Sequence, residues 1–227
     1  MKISNETISI LKNFATINPG IVFRPGNLIS TISVRNNIFA EARISETWPQ
    51  EFGIYDLNNF LSVLSLFKDG AELEFDSKHV IVCGLSGRSK IDYRVTDPTM
   101  LVAAPHKSPA ELPVDVSFKL SLNDLSWIIK TSNVLNVPNV SVKNDGTKTC
   151  LFAFDANNDS AHTNTLELTN VECPDNVEYN LIFRTENLKL IPGDYNVEIA
   201  AKKRAKFSDP EKGITYYIAL ETTSTYN

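Results

Sequence analysis

The chain has 227 residues, with 22 Lys or Arg against 27 Asp or Glu, for a net charge of −5 at neutral pH. Its 42% hydrophobic and 22% charged residues are ordinary globular composition, enough for one large or two small domains with their own cores and unlike a disordered tail. No apolar run approaches the roughly 18 residues of a membrane span, and the opening MKISNETISI is polar where an export signal would be apolar, which predicts a soluble, intracellular protein with no membrane partner.

In chain order, Ser4 reads as an N-cap for an amphipathic helix, NETISILKNFATIN, followed by Pro19-Gly20 and the apolar run IVF. In this helix Ile8, Leu11, Phe14 and Ala15 mark the apolar face, and Asn5, Ser9, Lys12 and Thr16 line the opposite one. Short runs rich in β-branched and aromatic residues come next: NLISTISV, NIFAEARI and, later, HVIVCGL and SKIDYRV. Between them, residues 52–75 read as strand, helix opened by Asp56, turn at Asp69-Gly70, and strand. That second helix exposes Asn58, Asn59, Ser62 and Ser65 and is expected to end at Lys68.

Around residues 100–116 the pattern breaks. Pro105, Pro109 and Pro113 each block helix continuation, so the segment reads as a semi-extended connector. The expected division is a first domain over 1–100, a connector over 101–114 and a second domain over 115–227.

The second half repeats the plan of the first. Ser121 caps LNDLSWIIKTSNVLN, with Leu122, Leu125, Ile128 and Ile129 as the expected buried stripe and Asn123, Ser126, Lys130 and Asn133 outside. The strand runs VSV, CLFAFD and TYYIALE follow. Residues 179–201 match the strand–helix–turn–strand plan of 52–75, with the turn at Pro192-Gly193, and predict a fourth helix carrying Arg184, Asn187 and Lys189. The pattern suggests an internal duplication. Each half then holds about two helices and six to eight strands, an α+β arrangement with helices on one face of antiparallel sheets.

Acidic residues at the helices are confined to caps and first turns: Glu6, Asp56, Asp124 and Glu186. Beyond the first turn every helix charge is basic: Lys12, Lys68, Lys130, Arg184 and Lys189. Four polar faces of Lys, Arg, Asn, Ser and Thr suit a polyanion contacted at its phosphates. Acids early and bases late also complement the helix dipole, an alternative this pattern leaves open. Residues 1–108 balance at 11 basic and 11 acidic, and 109–227 hold 11 against 16. A nucleic-acid site on such a chain must be a segregated surface, because a simple DNA-binding domain is basic overall. The run Lys202-Lys203-Arg204 with Lys206 reads first as a solvated hairpin loop, next as a phosphate-contacting loop and last as a localisation signal.

Chemistry-bearing motifs are missing. Cys83, Cys150 and Cys173 form no CxxC pair, and Cys83 and Cys150 sit in apolar runs as small buried hydrophobes. His79, His106 and His162 are dispersed, with no zinc spacing. No phosphate-binding glycine motif occurs, and Asp92, Asp97, Asp155 and Asp159 fit turns. The expectation is no catalytic residue, no metal and no cofactor: the chain does not read as an enzyme.

The segments LKNFATIN (11–18), IYDLNNFLSVLSL (54–66), VTDPT (95–99), PGDY (192–195), AKF (205–207) and YYIALETTST (216–225) closely resemble the sliding clamps of T-even-type bacteriophages, processivity factors of the phage DNA polymerase. The resemblance runs from Met1 to the end; 143–178 diverges, and the chain closes on Thr-Tyr-Asn rather than Asp-Phe. It implies two similar clamp domains, with antiparallel sheets outside and two helices each lining the hole of a homotrimeric ring around duplex DNA. Lys12, Lys68, Lys130, Arg184 and Lys189 would then face DNA without reading sequence. The implied partners are the phage DNA polymerase, an ATP-dependent clamp loader and late-transcription factors, in the cytoplasm of the infected bacterial host. The polymerase would dock a C-terminal peptide in an apolar pocket beside the connector, near Ile44, Leu101, Val102, Tyr217 and Ala219. Two rivals stay open: a clamp-fold interaction or structural subunit without DNA tethering, and a hydrolase using dispersed carboxylates.

Overall fold

A computed structural model describes residues 1–68, 70–158, 160–174, 177–201 and 203–227. The turn residue Asp69, the turn residue Asp159 and the first lysine of the basic run, Lys202, lie outside the described residues. The chain divides into two compact units, one comprising Met1–Ser108 with Lys212–Ile214, the other Pro109–Glu211 with Thr215–Asn227. Residues 101–114 form neither helix nor strand.

The first unit holds helices α1 (Asn5–Ile17) and α2 (Leu57–Ser65), which pack against each other. Its strands are β1 (Ile21–Phe23), β2 (Gly26–Ile32), β3 (Ile38–Trp48), β4 (Phe52–Ile54), β5 (Ala71–Phe75), β6 (His79–Gly84) and β7 (Lys90–Arg94). All pairings are antiparallel: β1 with β4, β2 with β3, and β5-β6-β7 as a three-stranded sheet. Strand β3 alternates buried and exposed residues along most of its length, the period-two signature of a sheet with one face on the core. That core gathers Phe14, Phe23, Trp48, Phe52 and Phe60, with the Phe23 and Trp48 rings 4.4 Å apart.

The second unit opens with β8 (Val116–Leu120) and α3 (Leu122–Leu135), then β9 (Asn139–Asn144), β10 (Thr149–Phe154), β11 (Leu166–Glu167) and β12 (Tyr179–Arg184). It closes with β13 (Tyr195–Ala200), β14 (Arg204–Asp209), β15 (Ile214–Ala219) and β16 (Thr225–Tyr226). One sheet runs β11-β10-β9-β12-β16; another runs β8-β13-β14-β15. Helix α3 packs on β9 and β10. Of the C-terminal Thr-Tyr-Asn, Thr225 and Tyr226 form the edge strand β16: Tyr226 pairs with Tyr179 and stacks on its ring at 6.0 Å.

The α+β class and the two similar domains hold. The predicted fourth helix does not: residues 185–187 make only a 3-10 turn, Thr185–Asn187. Arg184 offers no side-chain cap to it, and Pro192 biases Ile191 out of helical conformation, so no helical turn has room to propagate. The second unit also exceeds six to eight strands, with nine among the described residues, because short edge strands such as β11 and β16 carry too few residues to show a period. Helix α2 stops at Ser65, so Lys68 lies just beyond it. On α3 the buried residues are Leu125, Ile128 and Ser132; Leu122 is 40% exposed, and Trp127 and Val134 face out. Of the cysteines, Cys150 is buried, and burial pushes its thiol up, but Cys83 on β6 is only half-buried.

Candidate functional site

Each helix is held at its start by a side chain from the cap position. Ser4 Oγ accepts from Thr7 N–H at 3.1 Å, Asp56 from Asn59 N–H at 2.9 Å, and Ser121 from Asp124 N–H at 3.1 Å. A buried carboxylate adds to the first of these. Glu46, on β3, accepts the Ser4 N–H and takes the Thr7 hydroxyl at 2.6 Å and the Ser45 hydroxyl at 2.9 Å. Burial works to raise its pKa, but hydrogen bonds from Thr7, Ser4 and Ser45 outweigh it and hold the carboxyl below its ordinary range.

So fixed, the helices turn their polar faces out. On α1, Asn5, Ser9, Lys12 and Thr16 are exposed. On α2, Asn58, Asn59, Ser62 and Ser65 are exposed, with Lys68 just past the end. On α3, Asn123, Lys130 and Asn133 are exposed, beside Trp127 and Val134. The exposed amides and hydroxyls outnumber the cations, which are Lys12 on α1, Lys130 on α3 and Lys68 beyond the end of α2.

In the second unit, Arg184 and Lys189 come together without a fourth helix to carry them. They line a groove of about 510 Å³ beside the C-terminal end of α3, with Ile129, Asn133, Asn136 and Glu186. Asn136 caps α3 in the left-handed conformation, φ 53°. The buried Ser132 hydroxyl donates to the Val137 carbonyl at 2.6 Å and meets Thr185 Oγ1 at 2.8 Å, which fixes the turn against the helix. Arg184 is engaged by carboxylates, Nε at 3.2 Å from Glu221 and Nη1 at 3.7 Å from Glu186. Sequence reasoning missed Glu221: nothing in spacing links it to a residue 37 positions earlier.

Each unit holds its own part of the connector. In the first, Arg24 Nη2 donates to the Ala104 carbonyl at 2.8 Å, and Asn18 Nδ2 to that of Val102 at 3.0 Å. Leu101 lies on Gly53 and Gly20; a Cβ at Gly53 would come within 2.8 Å of its methyl carbon. In the second, Arg204 donates to the Ala110 carbonyl and lies 5.4 Å from the Tyr217 ring centre. Lys206 pairs with Glu198 at 3.0 Å and Glu111 at 3.4 Å. Burial works to lower the Lys206 pKa, but Glu198 and Glu111 outweigh it and raise it. Neither reading of the basic run as a loop survives for these two residues. Arg204 and Lys206 belong to β14 and hold the connector down, while Lys203 is exposed.

The residues expected around an apolar pocket divide between the units. Ile44 and Tyr217 are each only 7% exposed, Leu101 and Ala219 are half-buried, and Val102 is exposed. Tyr217 lines a small cleft of the second unit with Leu112 and Val114 of the connector. A hollow of about 320 Å³ in the first unit, between Phe39, Glu41 and Arg24 and the connector residues His106 and Ser108, had no sequence signal. Among the described residues no cluster of His, Cys, Asp and Glu could hold a metal, and no helix is long and apolar enough to cross a membrane.

Two family models match the chain: "DNA polymerase processivity factor" over residues 4–103 and "gp45 sliding clamp, C terminal" over residues 117–222. The chain is 35% identical to a sliding clamp of Vibrio phage KVP40 over 225 residues, 97% of this chain and 99% of that one. It is 34% identical to the sliding clamp of Enterobacteria phage T4 over 232 residues, with both covered in full. Among solved structures it resembles proliferating cell nuclear antigen from Entamoeba histolytica, with a TM-score of 0.72 and 13% identity over 95% of this chain and 94% of that one. It also resembles PCNA of A. fulgidus bound to the C-terminal region of FEN-1, with a TM-score of 0.70 and 13% identity over 97% of each.

Proposed function

The chain belongs to the phage sliding-clamp family of DNA polymerase processivity factors, non-enzymatic scaffolds, and on that premise we propose that it encircles duplex DNA as a homotrimeric ring and tethers the phage replicative polymerase. The observation that carries this reading is the helix surface. Amides, hydroxyls and sparse cations (Lys12, Lys68, Lys130, with Arg184 and Lys189 in the groove) stand on a chain that is acidic overall. Such a surface draws phosphates weakly and reads no base, which suits a protein that must move along DNA. Retention comes from topology, since a closed ring cannot leave sideways. Three copies of a −5 chain keep the remaining surface negative, which disfavours DNA on the outside.

Opening and closing the ring falls to an ATP-dependent clamp loader, because the chain has no nucleotide-binding motif. The polymerase docks a C-terminal peptide beside the connector, against the small, part-polar cleft that Leu112, Val114 and Tyr217 line together with Glu111, Glu198, Arg204 and Lys206. The same surface serves late-transcription factors, and the working compartment is the cytoplasm of the infected host. The bound FEN-1 region on the A. fulgidus protein supports a peptide-docking mode.

The test begins with native mass by light scattering across a dilution series, where a species of three chains is expected. Loader-dependent retention on closed circular DNA, and its loss on linearisation, then reports the topological link. Replacing Lys12, Lys130 and Lys189 together by Glu should abolish processive extension. A stable monomer at high concentration, or processivity untouched by those replacements, overturns the reading in favour of a clamp-fold interaction subunit.

A further inference from the structure

The groove in the second unit differs in kind from the helix surface of the first. In the first unit α2 packs against α1. At the corresponding point of the second unit, after β12, the chain makes only the turn Thr185–Asn187, and the groove opens beside it. Its arginine has carboxylate partners. Arg184 faces Glu221 at 3.2 Å and Glu186 at 3.7 Å, and α3 points its C-terminal end at the same groove with no basic residue in its last turn. A helix C-terminus carries partial negative charge. Two carboxylates and a helix end therefore hold a cation-marked groove close to electrical neutrality.

Resting on the DNA-encircling reading above, we propose that Glu186 and Glu221 set the strength of the grip on DNA by competing with a backbone phosphate for Arg184. A guanidinium with no competitor binds phosphate through two parallel hydrogen bonds, a contact strong enough to stall a moving ring. Arg184 is 51% exposed, so its carboxylate pairs are weak and exchange with a passing phosphate at little cost. The phosphate is held briefly and released to the carboxylates as the ring advances. The grip occurs once per chain rather than once per domain, since α2 occupies the corresponding place in the first unit. The exchange involves no base edge, so it is blind to sequence.

The experiment follows single rings of the full chain, loaded onto long DNA by the loader, and measures one-dimensional diffusion across a salt series. Glu186→Gln with Glu221→Gln is expected to slow diffusion several-fold at low salt. It should also steepen the salt dependence of diffusion, because each phosphate newly held is released as counterions compete. Adding Arg184→Gln to that pair should restore the wild-type rate, an outcome that general damage to the fold would not produce. If the double variant fails to trimerise, Glu186→Gln alone carries the test, since Glu186 is an exposed turn residue. Unchanged diffusion, or a slowing that Arg184→Gln leaves in place, overturns the proposal. A wild-type chain that is not retained on closed circles fails at the earlier step and overturns the reading beneath it, a distinct result.

Discussion

Glu46 shows how one side chain can fix a helix that presents functional groups. It is 7% exposed, and through the Ser4 N–H and the Thr7 hydroxyl it ties the first turn of α1 to β3, so the orientation of Lys12 depends on a carboxylate in a strand. Replacing it by Ala leaves the buried Thr7 hydroxyl and the half-buried Ser4 N–H without that acceptor, which costs about 1–3 kcal/mol. Denaturant midpoints at neutral pH should show that loss. The pH dependence has a definite sign. A carboxyl whose folded pKa lies below its ordinary value of 4.5 adds stability that is fully present above that value and is lost as pH falls through the folded pKa. The Glu46→Ala chain should therefore lose less stability than wild type on acidification below about 4.5; an equal loss would place the acid sensitivity elsewhere. Gly53 is a second single-residue constraint, because an added Cβ would sit 2.7 Å from the Thr96 carbonyl oxygen as well as against Leu101. Gly53→Ala should cost about 1–3 kcal/mol by overpacking and lower the thermal midpoint.

At the scale of elements, α1, α2 and α3 were legible because each begins with a cap residue and continues with an apolar face of helical period, which local sequence encodes. The segment after Arg184 mimicked that plan but lacked a cap hydrogen bond and ran into Pro192, so only three residues turned. Its basic residues were still found, since composition signals a cation even where the element is misread. What spacing could not show was the partner of each cation. Glu221 for Arg184 and Glu111 for Lys206 are contacts made by folding across many residues. The same limit hid the Arg204 guanidinium 5.4 Å from the Tyr217 ring centre. A nine-residue helix such as α2 is marginal by itself, and its cap counts for more than it would in a long one. Asp56→Ala, which removes the 2.9 Å bond to Asn59 N–H, should cost about 1 kcal/mol in a urea titration, and Asp56→Ser should recover most of it.

For the whole molecule, charge sets two opposed salt dependences. Each chain carries −5, so three chains brought together repel one another over distances that salt shortens to about 8 Å at physiological strength. If the proposed ring is held by apolar packing, added salt should relieve the repulsion, and dissociation on dilution should move to lower protein concentration. The grip on DNA must respond the other way, because each phosphate contact weakens as counterions compete. Raising salt from about 50 to 300 mM should thus strengthen the ring in light scattering while speeding its diffusion along DNA, two opposite trends across a range where counterion competition is steep. A ring that instead falls apart as salt rises would be held by ionic contacts between copies. Loss of topological retention and loss of phosphate attraction would then coincide, and the two could be separated only by cross-linking the ring shut before raising the salt.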